Sequence, residues 1–172
     1  MTTVRVSAAR RNVAGVAATV RLEPMTRDQY DAYRAVAEDD YAESIARSGS
    51  MPLAEARTKS AEDFARILPE GFDSEGHRFW TAYDGESAVG MLWLQLRPTS
   101  EGLTAFGYDF SVRPELRRSG YGRAIMVAAE QECRALGVVS VGLNVFGDNL
   151  GAQDLYRQMG FEVTGMQMAK RL

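Results

Sequence analysis

Over Val112 to Gly122 the chain reads V-R-P-E-L-R-R-S-G-Y-G, and from Gly122 onward apolar residues recur at Ile125, Met126, Ala129, Cys133 and Leu136 with helical spacing. Gly120 and Gly122 leave backbone N–H groups uncovered where the positive end of the helix dipole begins. Arg117, Arg118 and Arg123 put cations at that same end, which is unfavourable unless an anion joins them. The chemistry such a stretch can do is to cradle an anion, phosphate first of all. A bare tight turn is the plainer reading of Gly-Tyr-Gly before a helix. Neither of the two best-known phosphate loops fits. No Lys-Ser/Thr follows a spaced glycine pair, and Ile125 fills the third glycine position of G-x-G-x-x-G.

Further on, after an apolar run from Val138 to Phe146, comes N-L-G-A-Q-D-L-Y-R-Q-M-G-F over Asn149 to Phe161. With both stretches in view the chain resembles the GCN5-related N-acetyltransferase (GNAT) superfamily. In that family a loop Arg/Gln-x-x-Gly-x-Gly/Ala holds the coenzyme A pyrophosphate, and Arg117, Gly120 and Gly122 stand at its positions. The family's downstream signature, Asn-x-x-Ala-x-x-x-Tyr and then Gly-Phe, is met by Asn149, Ala152, Tyr156, Gly160 and Phe161. The resemblance runs from about Phe79 to Lys170, and the first half matches only in its order of elements.

The resemblance implies an acetyl-CoA-dependent N-acetyltransferase in which an amine attacks the thioester directly, with no metal. The implied coenzyme A contacts are Phe110, Ser111 and Val112 through their main chain, the loop Arg117, Arg118, Ser119, Gly120, Tyr121, Gly122 and Arg123, and Asn149, Ala152 and Tyr156. Tyr156 takes the general-acid position, although its helix face, shared with Ala152 and Met159, also suits a core aromatic. Many family members carry a glutamate base where this chain has Phe106, which cannot take a proton. Asp109 lies close by and is the candidate base, although simple strand alternation gives it the opposite parity to Phe106, which would face it away. A water chain or an acid from the first helices competes for the role. The missing glutamate keeps a catalytically silent acyl-CoA-binding sensor open beside the enzyme, and a nucleotide-binding module stands third.

These residues need a scaffold, and the sequence supplies one. Val20 and Leu22 alternate as a strand over Thr19 to Glu23, ended by Pro24. Thr26-x-x-Gln29 predicts a capping box, and Tyr30, Tyr33, Ala37, Tyr41 and Ile45 mark a long helix. Ser48-Gly49-Ser50 breaks it, and Leu53 to Leu68 reads as a second helix after Pro52. His77 to Tyr83 and Ala88 to Leu96 form a hairpin about Asp84-Gly85, and Leu103 to Val112 is the strand leading to the cradle. The helix Arg123 to Leu136, a strand Ser140 to Phe146, a short helix through Tyr156 and a last strand Glu162 to Lys170 complete the order β-α-α-β-β-β-α-β-α-β. The expected fold is a mixed α/β domain over residues 19–172, a twisted mixed sheet of about six to seven strands with helices on both faces. Residues 1–18, with Arg5, Arg10 and Arg11 and no acid, are an extension.

The chain's 172 residues suit one core, and 45% hydrophobic with 25% charged residues is an ordinary globular balance. A net charge of −3 and a pI near 5.3 argue against nucleic acid as a partner. No run of about 18 apolar residues is present, so no membrane partner is expected. A lone cysteine suits a reducing, cytoplasmic setting. The partners expected are acetyl-CoA and an amine acceptor, with a homodimer left open. Cys133 sits on an apolar stripe as a small hydrophobe, and His77 has no cysteine or metal partner in the pattern. Glu38, Asp39, Asp40 and Glu43 read as a solvated helix face, and Trp80, Trp93 and the first helix's tyrosines as core or pocket wall.

Overall fold

Thr26 opens the first helix as the sequence demands. Its hydroxyl accepts the Gln29 N–H at 3.2 Å while the Gln29 side chain accepts the Thr26 N–H at 2.9 Å, so two orphan donors of the helix start are satisfied at once. In the computed structural model, which describes residues 18–170, that helix is α1 (Arg27–Arg47) and follows β1 (Arg21–Pro24). Then come α2 (Leu53–Ile67), β2 (His77–Asp84), β3 (Ser87–Thr99), β4 (Gly102–Val112), α3 (Tyr121–Ala135), β5 (Val138–Leu143) and α4 (Leu150–Gln158). The expected extension over residues 1–18 lies, but for Ala18, outside the described residues.

One mixed sheet runs in the order β1-β2-β3-β4-β5, antiparallel throughout except for the parallel pair β4–β5, which the α3 crossover requires. Strand alternation divides β3 between two cores. Met91 and Trp93 face α1 and α2 with Tyr30, Ala37, Phe64 and Phe79, whereas Leu92 and Leu94 face α3 with Ile125, Ala129 and Cys133. Cys133 is buried there, as its stripe predicts.

Two expectations change. The sheet has five strands among the described residues rather than six to seven. Glu162 to Lys170 is irregular, and Val163, Met166 and Met168 stand exposed. Alternation alone makes a segment compatible with a strand; a ladder partner makes it one, and this segment has none in the sheet. β5 also starts earlier and stops at Leu143, leaving Phe146 in the following loop, where its ring packs 6.3 Å from that of Tyr41.

His77 is 5% exposed beneath α2, and its Nδ1 accepts the Trp93 indole N–H at 2.8 Å. Burial, and then the Arg97 charge, push its pKa below the ordinary 6.5. The unfolded chain therefore binds this proton first as pH falls. Stability tied to the neutral ring is present above pH 6.5 and lost as pH drops through the folded value. The melting temperature should fall between pH 7.5 and 5.5. His77→Gln, which keeps an acceptor for Trp93, should flatten that fall in a thermal-shift series, and an unaltered slope would assign the effect to another group.

Candidate active site

β4 ends at Val112, a short 3-10 turn covers Pro114–Leu116, and the chain then bends sharply through Arg118 at φ 62° and Gly120 at φ 89° into α3. Left-handed backbone at a non-glycine residue is uncommon, so the turn is held by its surroundings. No side chain caps α3, and its first turn is closed by the Ala124 N–H donating to the Gly120 carbonyl at 3.1 Å. The N–H groups of Tyr121, Gly122 and Arg123 precede it and point out of the helix start. A Cβ on Gly120 would meet no atom within 4 Å, so the space before these amides is open. Gly122 is needed for closeness instead: a Cβ there would come within 3.3 Å of Leu155 and 3.7 Å of Phe110.

The expected side chains divide around this cradle. Arg117 and Arg118 are exposed and lack ion pairs among the described residues; Arg117 Nε donates to the Val112 carbonyl at 3.4 Å and Arg118 extends towards Gly151. Arg123 turns instead to α4, donating to Gln158 Oε1 at 2.8 Å. The Tyr121 hydroxyl donates to Asp84 at 2.7 Å beside the β2–β3 turn, which leaves only its N–H for the cradle. Ser119 donates weakly to the Arg117 carbonyl at 3.5 Å.

Pairing between β4 and β5 ends at Gly107 and Leu143, while β4 continues to Val112. Phe110, Ser111 and Val112 stay paired with β3 on one side only, so their other edge faces a gap that opens towards the cradle. Unpaired main-chain groups in such a gap suit an extended ligand that carries amides.

A β-bulge resets the strand just before that gap. Trp93 pairs with Asp109 but Leu94 pairs with Gly107, so Tyr108 is the extra residue. Tyr108 stacks on Trp93 at 4.7 Å, and Asp109 Oδ2 accepts the Tyr33 hydroxyl of α1 at 2.9 Å, which places both on the face that α1 and α2 cover. Phe106 meets Tyr108 edge-on at 5.1 Å on that same face. The expectation that Asp109 turns away from Phe106 is therefore corrected, because one inserted residue restores its parity. Burial pushes the Asp109 carboxyl above the usual carboxylate range. The Tyr33 hydroxyl and the Phe110 N–H oppose that rise, and the Asp40 charge adds to it.

α4 brings the phenol. Asn149 Oδ1 caps it by accepting the Ala152 N–H at 3.2 Å, which occupies that amide, and Gln153 donates to the carbonyls of Phe146 and Gly147. Gly160, at φ 86°, reverses the chain so that Phe161 packs 5.5 Å from the Tyr156 ring. Tyr156 is partly buried, its hydroxyl makes no hydrogen bond among the described residues, and its pKa is pushed up to about 12 by burial and by the charge of Asp109. A carboxylate that resists ionisation and a phenol that keeps its proton thus sit within electrostatic reach of each other. Tyr33 had no motif to mark it, since it falls on the apolar stripe of α1. Among the described residues no group of three or more His, Cys, Asp or Glu side chains could hold a metal ion.

Residues 29–161 match the family model of the acetyltransferase (GNAT) family. The chain is 32% identical over 155 residues to the uncharacterized N-acetyltransferase YycN of Bacillus subtilis (strain 168), covering 90% of this chain and 99% of that one. The crystal structure of YycN superposes with a TM-score of 0.86 at 31% identity, over 90% of this chain and 99% of that one. Mycothiol acetyltransferase of Paenarthrobacter aurescens (strain TC1) is 33% identical over 115 residues, which is 66% of this chain but only 33% of that relative.

Proposed function

The chain belongs to the acetyltransferase (GNAT) family, and on that footing we propose that it moves an acetyl group from acetyl-CoA to the primary amine of a small molecule or peptide by direct attack in a ternary complex. The domain that does so spans residues 19–172, with 1–18 as an extension, and works in the cytoplasm without nucleic acid. No helix among the described residues is long and apolar enough to cross a membrane.

The observation that carries this reading is the uncapped start of α3 beyond a strand whose β4–β5 edge has opened into a gap, with Asp109 on that strand and Tyr156 near enough to feel its charge. The cradle fits a diphosphate: open space at Gly120, free N–H groups at the head of α3, and Arg117 and Arg118 unpaired at its rim. Phe110, Ser111 and Val112 offer main-chain partners to the pantetheine amides, and the Asn149 carboxamide nitrogen is left over from capping to do the same. Bound acetyl-CoA supplies the thioester. Asp109 accepts the proton that the attacking amine must lose, and its raised pKa brings its basicity closer to working pH. Tyr156 donates its hydroxyl proton to the sulfur as the C–S bond breaks, and solvent exchange returns the proton from Asp109. The products are an amide and free coenzyme A.

A panel of amines and peptides with acetyl-CoA, followed by free-thiol release, tests this. Thiol should appear only when both substrates are present, in equal amount to acetylated amine, with initial-rate lines that intersect. Parallel lines would remove direct attack. Coenzyme binding with no thiol from any acceptor would select a silent acyl-CoA sensor, and adenosine-nucleotide affinity indifferent to the pantetheine arm would select a nucleotide module.

A further inference from the structure

We propose that Tyr33 is a positioning residue of the acetyl transfer: from α1 its hydroxyl pins Oδ2 of Asp109, fixing the carboxylate so that its other oxygen is presented to the acceptor amine. The proposal rests on Asp109 being the base. The 2.9 Å bond is the one that Asp109 makes to another side chain among the described residues, beside the Phe110 N–H of its own strand. It crosses from a helix to a bulged strand, so the orientation of Asp109 depends on where α1 sits as much as on β4 itself.

Packing alone does not call for a hydroxyl at this place. The Tyr33 ring lies 6.4 Å from Tyr30 and 6.5 Å from Phe79, a setting that a phenylalanine would fill equally well. The hydroxyl is used instead to steady a carboxylate withdrawn from water, which is costly to keep unless it is hydrogen-bonded. Tyr33 holds its own proton tightly, because burial and the neighbouring carboxylate raise its pKa well above the ordinary value, so it stays a donor at any working pH.

The groups that act on Asp109 can be assigned element by element. α1 presents Tyr33, which favours the charged form, and Asp40, which opposes it; β4 adds the Phe110 N–H, which favours it. α4 presents Tyr156, neutral until far above physiological pH, and β3 presents Trp93, which does not titrate. α1 therefore carries both a group that lowers the base's pKa and one that raises it, and the two make opposite predictions.

The test is the pH profile of kcat/KM for the best acceptor of the amine panel, in wild type, Tyr33→Phe, Asp40→Asn and Asp109→Asn. Tyr33→Phe should move the acidic limb up by about one pH unit, since it removes a hydrogen bond to the charged form. On the acidic limb its kcat/KM should fall about tenfold at a given pH, while the plateau and the KM for acetyl-CoA stay within about twofold of wild type. Asp40→Asn, at an exposed position that does not threaten the fold, should move the same limb down. A merely structural role would lower the plateau and leave the limb in place. An unmoved limb in Tyr33→Phe with Asp109→Asn inactive overturns the role of Tyr33 alone. An active Asp109→Asn overturns the base, and the role of Tyr33 with it.

Discussion

Asp109→Asn should lower kcat by about 10²–10⁴-fold, the usual contribution of a positioned proton acceptor, and at the same time make the protein more stable at neutral pH. The two effects share one cause. Burial raises the folded-state pKa of Asp109 above the unfolded 3.8, so the native state binds a proton over a range in which the unfolded chain has already released it. Stability from this group is fully present below pH 3.8 and is lost as pH rises through the folded value. At pH 7 the ionised carboxylate is thus a burden on the fold. Asparagine has the same shape and still offers an oxygen to the Tyr33 hydroxyl, but it cannot ionise. A gain of about 1 kcal/mol would appear as a rise of about 2–4 °C in melting temperature for a domain of this size. The gap between variant and wild type should close as the buffer approaches pH 4. Thermal melts from pH 4 to 8 beside turnover measurements check both halves, and a variant that is active, or less stable at pH 7, contradicts the assignment.

A bulge in β4 explains why the orientation of Asp109, the proposed base, was hard to see in the sequence. Strand alternation is a rule of period two, and it holds along β3, where Met91 and Trp93 face one core and Leu92 and Leu94 the other. It fails in β4 at one residue. Tyr108 is aromatic and fits either face of a strand, so nothing in its type announces that it will be counted twice on one side. The site features that were legible are those enforced by local chemistry: glycines where the backbone turns left-handed, a capping box at Thr26, an asparagine at the head of α4. Those that were not legible depend on contacts between distant segments. Tyr33 reaches Asp109 across 76 positions of sequence, and the segment after Phe161 alternates like a strand yet takes no place in the sheet. Periodicity reports which face a residue prefers, and it is silent about which edge, if any, will receive it.

Tyr156→Phe separates the two ends of the proposed reaction. The hydroxyl has no hydrogen-bond partner among the described residues, so removing it should change the stability by no more than about 0.5 kcal/mol. The ring stays packed on Phe161, and the cradle proposed to grip the diphosphate lies on another helix, so the KM for acetyl-CoA should hold within about twofold. Turnover should nevertheless fall by about 10²-fold, the lower end of the range for proton transfer, because a thiolate with a pKa near that of cysteine, about 8.5, departs tolerably without help. The phenol's own pKa, pushed up to about 12, keeps it protonated across the whole working range. Its loss should therefore depress the rate by a similar factor from pH 6 to 9 and leave the acidic limb where it was. Tyr33→Phe should do the reverse, moving the limb and sparing the plateau. One variant acts on the proton leaving the amine and the other on the proton reaching the sulfur, so the two profiles cannot be exchanged. Undiminished turnover in Tyr156→Phe would take this phenol out of the chemistry and leave it as a ring packed beside Phe161.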